Sequence, residues 1–160
     1  MPTGHSAATA RGVCVLPENP TERTLFRDMS AFENMAFAAL CKVSGAFMKR
    51  RYLKSLRRSC VDLVGEEITA CPDIGALNAE ALQMLVYTKW LIYGPRVLVL
   101  QKPFSATDPS LRRVTQRLLK PFIERGVAIL ALTTHRSEAR MVSGRFLAME
   151  DGRIKQGYSL

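Results

Sequence analysis

The most constraining feature of the sequence is an apolar run at positions 97–100 that passes directly into polar residues. A Gly-Pro turn precedes the run, and Gln101 and Lys102 follow it. A short, continuous apolar run of this kind is typical of a buried strand in a parallel sheet. Because functional loops follow the carboxyl ends of such strands, we expect a site in the segment 101–109.

The rest of the chain alternates between strand and helix patterns. The predicted strands are 12–18, 97–100 and 127–132, followed by a hairpin of 146–149 and 153–155. The predicted helices are 30–43, 48–64, 78–93, 109–125 and 137–141, and the predicted loops are 19–29 and 66–74. Ser30, Asn78 and Asp108 are the expected N-caps, and Glu33 completes a capping box with Ser30. This order indicates an α/β fold with a parallel sheet.

Composition sets limits on the class of protein. A chain of 160 residues with 48% hydrophobic content can form one domain, 1–160, with a substantial core. No apolar run approaches the length of a membrane span, and the amino end lacks an apolar signal core, so we expect a cytoplasmic protein. The four cysteines are widely spaced and only two histidines are present, so we predict buried thiols and no metal site.

The net charge of +9 is concentrated partly in one predicted helix. Its basic residues are Lys49, Arg50, Arg51, Lys54, Arg57 and Arg58. Such a row could bind nucleic acid, but no aromatic interleaving and no recognised nucleic-acid motif accompany it. We therefore interpret the row as a solvated helix face and do not expect a nucleic-acid partner.

The segment 101–109 resembles the Walker B strand end and D-loop of ABC-transporter ATPases. In that family the strand ends in Asp-Glu-Pro, and a Ser-Ala-Leu-Asp-Pro turn follows. The matching residues are Pro103, Ser105, Ala106, Asp108 and Pro109. Gln101 stands in the position of the Asp that helps to hold magnesium, and Lys102 in that of the Glu that acts as general base.

The resemblance extends over residues 7–157 and is greatest to the distal half of the second cassette of sugar-importer ATPases. The matched positions include Glu18 after a Leu-Pro pair, Met29-Ser30 with Glu33-Asn34, the signature position Asn78-Ala79-Glu80, the switch histidine His135, and the Asp-Gly-Arg-Ile at 151–154. It implies a partial P-loop-NTPase-like parallel sheet flanked by helices. A helical subdomain at about 30–93 would be inserted between the core strands.

The departures from the family concern catalysis. No segment of the sequence fits Gly-x-x-x-x-Gly-Lys-[Ser/Thr], the loop whose amides and lysine hold phosphates. Ala79 and Glu80 replace the two signature glycines. Gln101 and Lys102 shift the local charge by three units relative to Asp-Glu, and one unit at ~4 Å is worth about 4 kcal/mol near a protein surface. The resemblance therefore implies no magnesium binding, weak ATP binding and no unaided hydrolysis.

These observations lead to three functional hypotheses. The favoured one is a degenerate ATP-binding subunit or fragment with a structural or regulatory role in a sugar-import complex, beside a membrane subunit and a second nucleotide-binding domain or a second copy. In another, Ser105, Asp108 and His135 contribute to a composite ATPase site with a partner. The third is a basic nucleic-acid-binding module. Under the first two, Glu18, Ser105, Asp108, Asn78, Ala79 and Glu80 are candidate nucleotide contacts.

The resemblance also predicts a gap in the sheet. In the family, the strand before the P-loop lies between the strands that correspond to 127–132 and 146–149. Exposed strand edges are unfavourable and prone to aggregation. We therefore expect the gap to be closed by direct pairing of these strands, by residues 3–11, or by a partner chain.

Overall fold

The computed structural model describes residues 5–43, 46–105, 108–142 and 144–155. Its strands are β1 (Val13–Leu16), β2 (Val97–Gln101), β3 (Ala128–Leu132), β4 (Ala148–Glu150) and β5 (Arg153–Lys155). Its α-helices are α1 (His5–Ala10), α2 (Pro20–Thr24), α3 (Ala31–Leu40), α4 (Ala46–Val64), α5 (Glu66–Thr69), α6 (Ala79–Tyr93), α7 (Pro109–Glu124) and α8 (Arg136–Ala139). A short 3-10 helix spans Ile74–Ala76.

The core is a three-stranded parallel sheet in the order β1-β2-β3. Leu98 of β2 is the central residue, aligned with Cys14 of β1 and Ile129 of β3. Helices α6 and α7 cover one face with Tyr87 and Phe122, whose rings meet edge to face. The α/β prediction, with a parallel sheet flanked by helices, is confirmed.

The helix starts follow the predicted caps. The Ser30 side chain accepts from the Glu33 amide at 3.3 Å, and the Glu33 carboxylate accepts from the Ser30 amide at 2.8 Å. The Ser30 hydroxyl also donates to the Glu33 carboxylate at 2.7 Å, and this bond, followed by the bond from the Ser30 amide, holds the pKa of Glu33 below its usual value. Asn78 caps α6 through the Ala81 amide, and Asp108 caps α7. The capping patterns therefore set these boundaries locally.

Two predicted loops were wrong. The segment 19–29 contains α2, because Pro20 provides a suitable first helical residue after Asn19. The segment 66–74 contains α5. The negative charges of Glu66 and Glu67 stabilise this helix, because they lie in its first turn near the positive end of the helix dipole. Both helices are about one turn long, so they are too short to show a helical period in the sequence.

The cysteine prediction was only partly right. Cys14 and Cys60 are buried, and desolvation raises the pKa of each thiol to about 11. Cys41 is exposed at the carboxyl end of α3, and Cys71 is partly exposed. A residue that follows the last turn of a helix is not held against the core, which accounts for the exposure of Cys41.

The structure bears on some of the remaining predictions about domains and membrane spans. Helices α3 to α6 lie between β1 and β2 in the chain, but a separate helical subdomain at 30–93 within a single domain stays a prediction. Residues 44–45, between the predicted helices 30–43 and 48–64, lie outside the described residues. Of the helices in the described ranges, none combines the length and apolar character needed to cross a membrane.

Candidate functional site

A cleft of about 110 Å³ opens at the carboxyl ends of β1 and β2. Leu16, the last residue of β1, and Leu100, the next-to-last residue of β2, line it, and its polar lining includes Gln83, Gln101 and Ser105. The carboxyl ends of parallel strands are where α/β proteins place their ligand sites. This cleft is therefore the candidate functional site.

Lys102, which lines the cleft, forms an ion pair with Glu18, the residue after the Leu16-Pro17 pair at the end of β1. Its ammonium donates to the Glu18 carboxylate at 3.0 Å, and the two side chains are 45% and 43% exposed. An exposed pair of this kind contributes about 0.2–1 kcal/mol to stability. Its main effect is therefore on the charge near the cleft and not on the stability of the fold. The Glu18 carboxylate is therefore already paired with a cation of the same chain.

The backbone fixes Lys102 in this position. Lys102 has a φ of 44°, the left-handed region that non-glycine residues seldom occupy. Its amide donates to the Leu132 carbonyl at 2.7 Å, so the turn after β2 is tied to the end of β3. Because strained residues persist only where their surroundings hold them, this turn is a rigid part of the site.

The inner wall of the cleft contains polar residues that the sequence reasoning missed. Gln83 donates to the Thr115 hydroxyl, and that hydroxyl donates to the Leu111 carbonyl at 3.0 Å. Burial raises the pKa of Tyr87, against a smaller opposing effect of a hydrogen bond to Thr115, so its phenol is neutral. Gln83 and Tyr87 are four positions apart on α6, and this spacing was the available signal.

Ser105 and Asp108 come before and after residues 106–107, which lie outside the described residues. Ser105 lines the cleft, and its amide donates to the Lys102 carbonyl at 3.1 Å. The Asp108 carboxylate accepts from the Ser110 amide at 2.7 Å, and this bond keeps its pKa below the usual value. Asp108 is thus ionised at neutral pH and serves as a helix cap. The predicted match at Ala106 lies outside the described residues.

His135 lies after β3 and does not line the cleft. It is exposed, it precedes the first turn of α8, and its amide donates to the Thr133 hydroxyl at 3.2 Å. The Thr133 hydroxyl donates in turn to the largely buried Glu138 carboxylate. These contacts order the backbone on both sides of His135 and leave its imidazole at the surface.

The residues at the signature position form the start of α6. The Asn78 side chain accepts from the Ala81 amide at 2.8 Å, and Glu80 pairs with Arg117 of α7 at 2.7 Å. Neither these two residues nor Ala79 line the cleft. The structure therefore places Gln101, Lys102 and Ser105 in the lining of the cleft and joins Glu18 to them through its ion pair with Lys102. It leaves Asn78, Ala79, Glu80 and His135 elsewhere on the surface.

The cleft does not fit a magnesium ion. Magnesium prefers carboxylate and phosphate oxygens, but Gln101 offers a neutral amide and Glu18 is paired with Lys102. Across the residues that the structure describes, no cluster of three or more His, Cys, Asp or Glu side chains could hold a metal.

The chain is similar in sequence to curated ATP-binding proteins of sugar import. It is 31% identical over 148 residues to the ribose import ATP-binding protein RbsA 1 of Mesorhizobium japonicum, and the matched region covers 91% of this chain and 28% of the relative. It is 30% identical over 153 residues to the ribose import ATP-binding protein RbsA of Bacillus subtilis, covering 92% and 30%. It is 26% identical over 157 residues to the xylose import ATP-binding protein XylG of Escherichia coli, covering 92% and 29%.

These relatives are considerably longer than the chain. The chain spans about three-tenths of the length of each curated relative it matches, with 28%, 30% and 29% covered. No protein-family model matches the chain.

Proposed function

The chain is a relative of the ATP-binding proteins of ABC sugar importers, and on this premise we propose that it acts in a sugar-import complex without hydrolysing ATP itself. Its role is structural or regulatory. It sits at the inner face of the membrane through a membrane subunit and is paired with a second, competent nucleotide-binding domain. The transported sugar is a property of the assembled complex.

The observation that carries this proposal is the Lys102–Glu18 pair. Lys102 stands where the resemblance expects the carboxylate base, next to Gln101 in place of the magnesium ligand, and its ammonium lies 3.0 Å from the Glu18 carboxylate. A lysine ammonium has no lone pair with which to accept the proton of an attacking water. The positive charge of Lys102 also repels a divalent cation. Glu18 does not offset this repulsion, because its charge is already balanced by Lys102.

A composite ATPase site is the second candidate. Ser105 is partly exposed in the cleft, and His135 is exposed beyond β3, so both side chains are accessible to a partner chain. In that arrangement the phosphate-binding loop and the metal ligands come from the partner. The two proposals differ in whether a complex that contains this chain loses ATP turnover when His135 is changed to Ala.

The nucleic-acid hypothesis has less support from the structure. Arg50, Arg51, Lys54 and Arg58 are exposed on α4, as a solvated face requires. Arg57 is engaged with Glu66 at 2.6 Å and lies 5.7 Å from the Phe32 ring centre. The described contacts of Arg57 are therefore made with other residues of the same chain.

Magnesium binding tests the proposed site directly. The unmodified chain is expected to bind no Mg²⁺ in a calorimetric titration with MgCl₂. The double variant Gln101→Asp, Lys102→Glu is expected to bind it, because Glu18 loses its internal cation and two carboxylates are added. Adding Glu18→Gln to the double variant should weaken that binding. Magnesium binding by the unmodified chain would contradict the assignment.

A further inference from the structure

Helix α4 carries a row of basic side chains along its exposed side. Because successive residues of an α-helix are about 100° apart, positions 50, 51, 54, 57 and 58 fall within an arc of about 120°. All five side chains are exposed, and we call them the basic stripe: Arg50, Arg51, Lys54, Arg57 and Arg58. The other side of the helix, with Leu56, Cys60 and Val64, is buried against α3 and α6. The basic stripe therefore faces away from the core.

The basic stripe lacks the acidic residues that usually balance a solvated helix face. Positions 50–58 contain no Asp or Glu, and Lys54 lies three or four positions from each of the other four residues of the stripe. Side chains at these spacings are neighbours on a helix, and like charges there destabilise it. Well-solvated protein surfaces intersperse both signs of charge. The stripe therefore holds an excess of positive charge that an anionic partner would offset.

Ion pairs within the chain neutralise only one end of the basic stripe. Arg57 donates to the Glu66 carboxylate at 2.6 Å. Within the part of the chain that the structure describes, none of the other four residues of the stripe forms an ion pair. In contrast, Arg117, an exposed cation of α7, pairs with Glu80 at 2.7 Å. Four adjacent cations of α4 are thus available to an external anion.

The surroundings of the basic stripe indicate the chemistry of this anion. Neither the cleft at the ends of β1 and β2 nor a groove of about 130 Å³ beside β3 includes a residue of α4. Proteins bind single-stranded nucleic acid with charged grooves and stacked aromatic rings. The one aromatic residue at positions 50–64 is Tyr52, which is partly buried beside Leu56 and α3. A row of cations on the outer side of a helix, with no ring to stack on a base, suits a layer of phosphate groups.

We propose that the basic stripe of α4 is a docking surface for the anionic phospholipid headgroups of a membrane. Clusters of Lys and Arg on an amphipathic helix attract such headgroups, and each cation adds to the attraction. The contact is electrostatic and does not involve insertion, because no large apolar side chain among the described residues 50–64 is exposed. The inference rests on the proposed function for placing the chain beside a membrane, and it adds a direct contact with lipid.

Co-sedimentation of the full chain with lipid vesicles tests this proposal. We expect binding to vesicles of equal parts phosphatidylglycerol and phosphatidylcholine, and none to vesicles of phosphatidylcholine alone. Raising sodium chloride from about 0.05 M to about 0.5 M should release the protein, because salt screens exposed charges. No binding to the anionic vesicles at low salt, or equal binding to both kinds of vesicle, would overturn the proposal.

The vesicle experiment is independent of the tests of the proposed function. It needs neither ATP nor Mg²⁺, so a negative result would leave the magnesium titration of the Gln101–Lys102 site unaffected. Conversely, magnesium binding by the unmodified chain would contradict the proposed function without changing the affinity for vesicles.

A triple variant removes the charge of the basic stripe. Arg50→Gln, Lys54→Gln, Arg58→Gln should lower the affinity for anionic vesicles about 100-fold, at about fivefold for each charge. The three side chains are exposed and glutamine favours helix, so the circular dichroism spectrum should not change. A labelled RNA oligonucleotide serves as the competing polyanion. Tighter binding of this RNA than of the vesicles at the same salt, lost in the triple variant, would assign the stripe to nucleic acid and overturn the proposal.

A matched variant of α7 separates the basic stripe from the overall charge of the chain. Arg113→Gln, Arg117→Gln, Lys120→Gln also removes three exposed cations, but from another helix. It should change the affinity for anionic vesicles by less than about threefold, because the effect of distant exposed charges is screened. Equal losses of affinity in the two triple variants would show that net charge alone draws the chain to the vesicles, and would overturn the proposal.

Discussion

Magnesium-dependent ATP hydrolysis by the purified chain is expected to stay at the level of a buffer blank. No segment of the sequence fits a phosphate-binding P-loop, and the residue in the general-base position is Lys102. General-base catalysis alone contributes about 10²- to 10⁴-fold in rate, and positioning of the phosphates contributes more. A coupled phosphate-release assay over a range of protein concentrations measures this directly.

Restoring the two acidic residues is expected to leave the rate of ATP hydrolysis at the level of the buffer blank. The variant Gln101→Asp, Lys102→Glu regains the carboxylates that the family uses, but it gains no phosphate-binding loop. The Glu18→Gln variant is the matched control, because it breaks the Lys102 pair without adding a carboxylate. Turnover by the unmodified chain that scales with protein concentration and resists repurification would be inconsistent with the proposed function.

Asn34→Ala is expected to produce the largest loss of stability of any single change outside the apolar core. Asn34 is fully buried, and its amide oxygen accepts from the Phe26 amide at 2.8 Å. Its amide nitrogen donates to the carbonyls of Phe26, Met29 and Ser30 at 2.9, 3.0 and 3.1 Å. Alanine removes the partner of the Phe26 amide and of the Met29 carbonyl, whereas the carbonyls of Phe26 and Ser30 still accept from the backbone amides of residues 29 and 34. Leaving two partly buried backbone groups unsatisfied costs about 3 kcal/mol of unfolding free energy.

The matched control for Asn34 is Asn78→Ala. Asn78 is exposed and satisfies one amide, at Ala81, so its loss should cost about 1 kcal/mol. Urea unfolding followed by circular dichroism, with equal slopes for the two variants, gives both values. A loss at Asn34 no larger than that at Asn78 would show that the segment before α3 is held by other contacts.

The features that the sequence predicted correctly are those that depend on neighbours in the chain. The Ser30–Glu33 capping box, the Asn78 and Asp108 caps, and the hairpin turn at Asp151-Gly152 are all local patterns. Strand and helix identity followed from periodicity, which long elements display. The one-turn helices α2 and α5 were missed because they are shorter than the period that identifies a helix.

The chemistry of the site depends on contacts between distant positions. Glu18 and Lys102 are 84 positions apart, and Gln83 and Thr115 are 32 apart. Both residues of the first pair were recognised as site residues through the resemblance, but nothing in the sequence shows that they contact each other. The sequence also did not show that the sheet face of Val13, Val15, Val97 and Val99 is partly exposed. These valines belong to continuous apolar runs, which are typical of strands buried on both faces.

Calorimetric titration of ATP, with magnesium and then with EDTA, is the measurement that tests the central claim most directly. If the Lys102–Glu18 pair has replaced the metal site, ATP binding is weak, is unchanged by EDTA, and declines as salt rises, because only cationic contacts attract the phosphates. The Lys102→Glu variant should weaken it further, and a basic residue outside the cleft, such as Arg58, should have no effect when changed to Ala. Tight ATP binding that requires magnesium and is lost on adding EDTA would contradict the account.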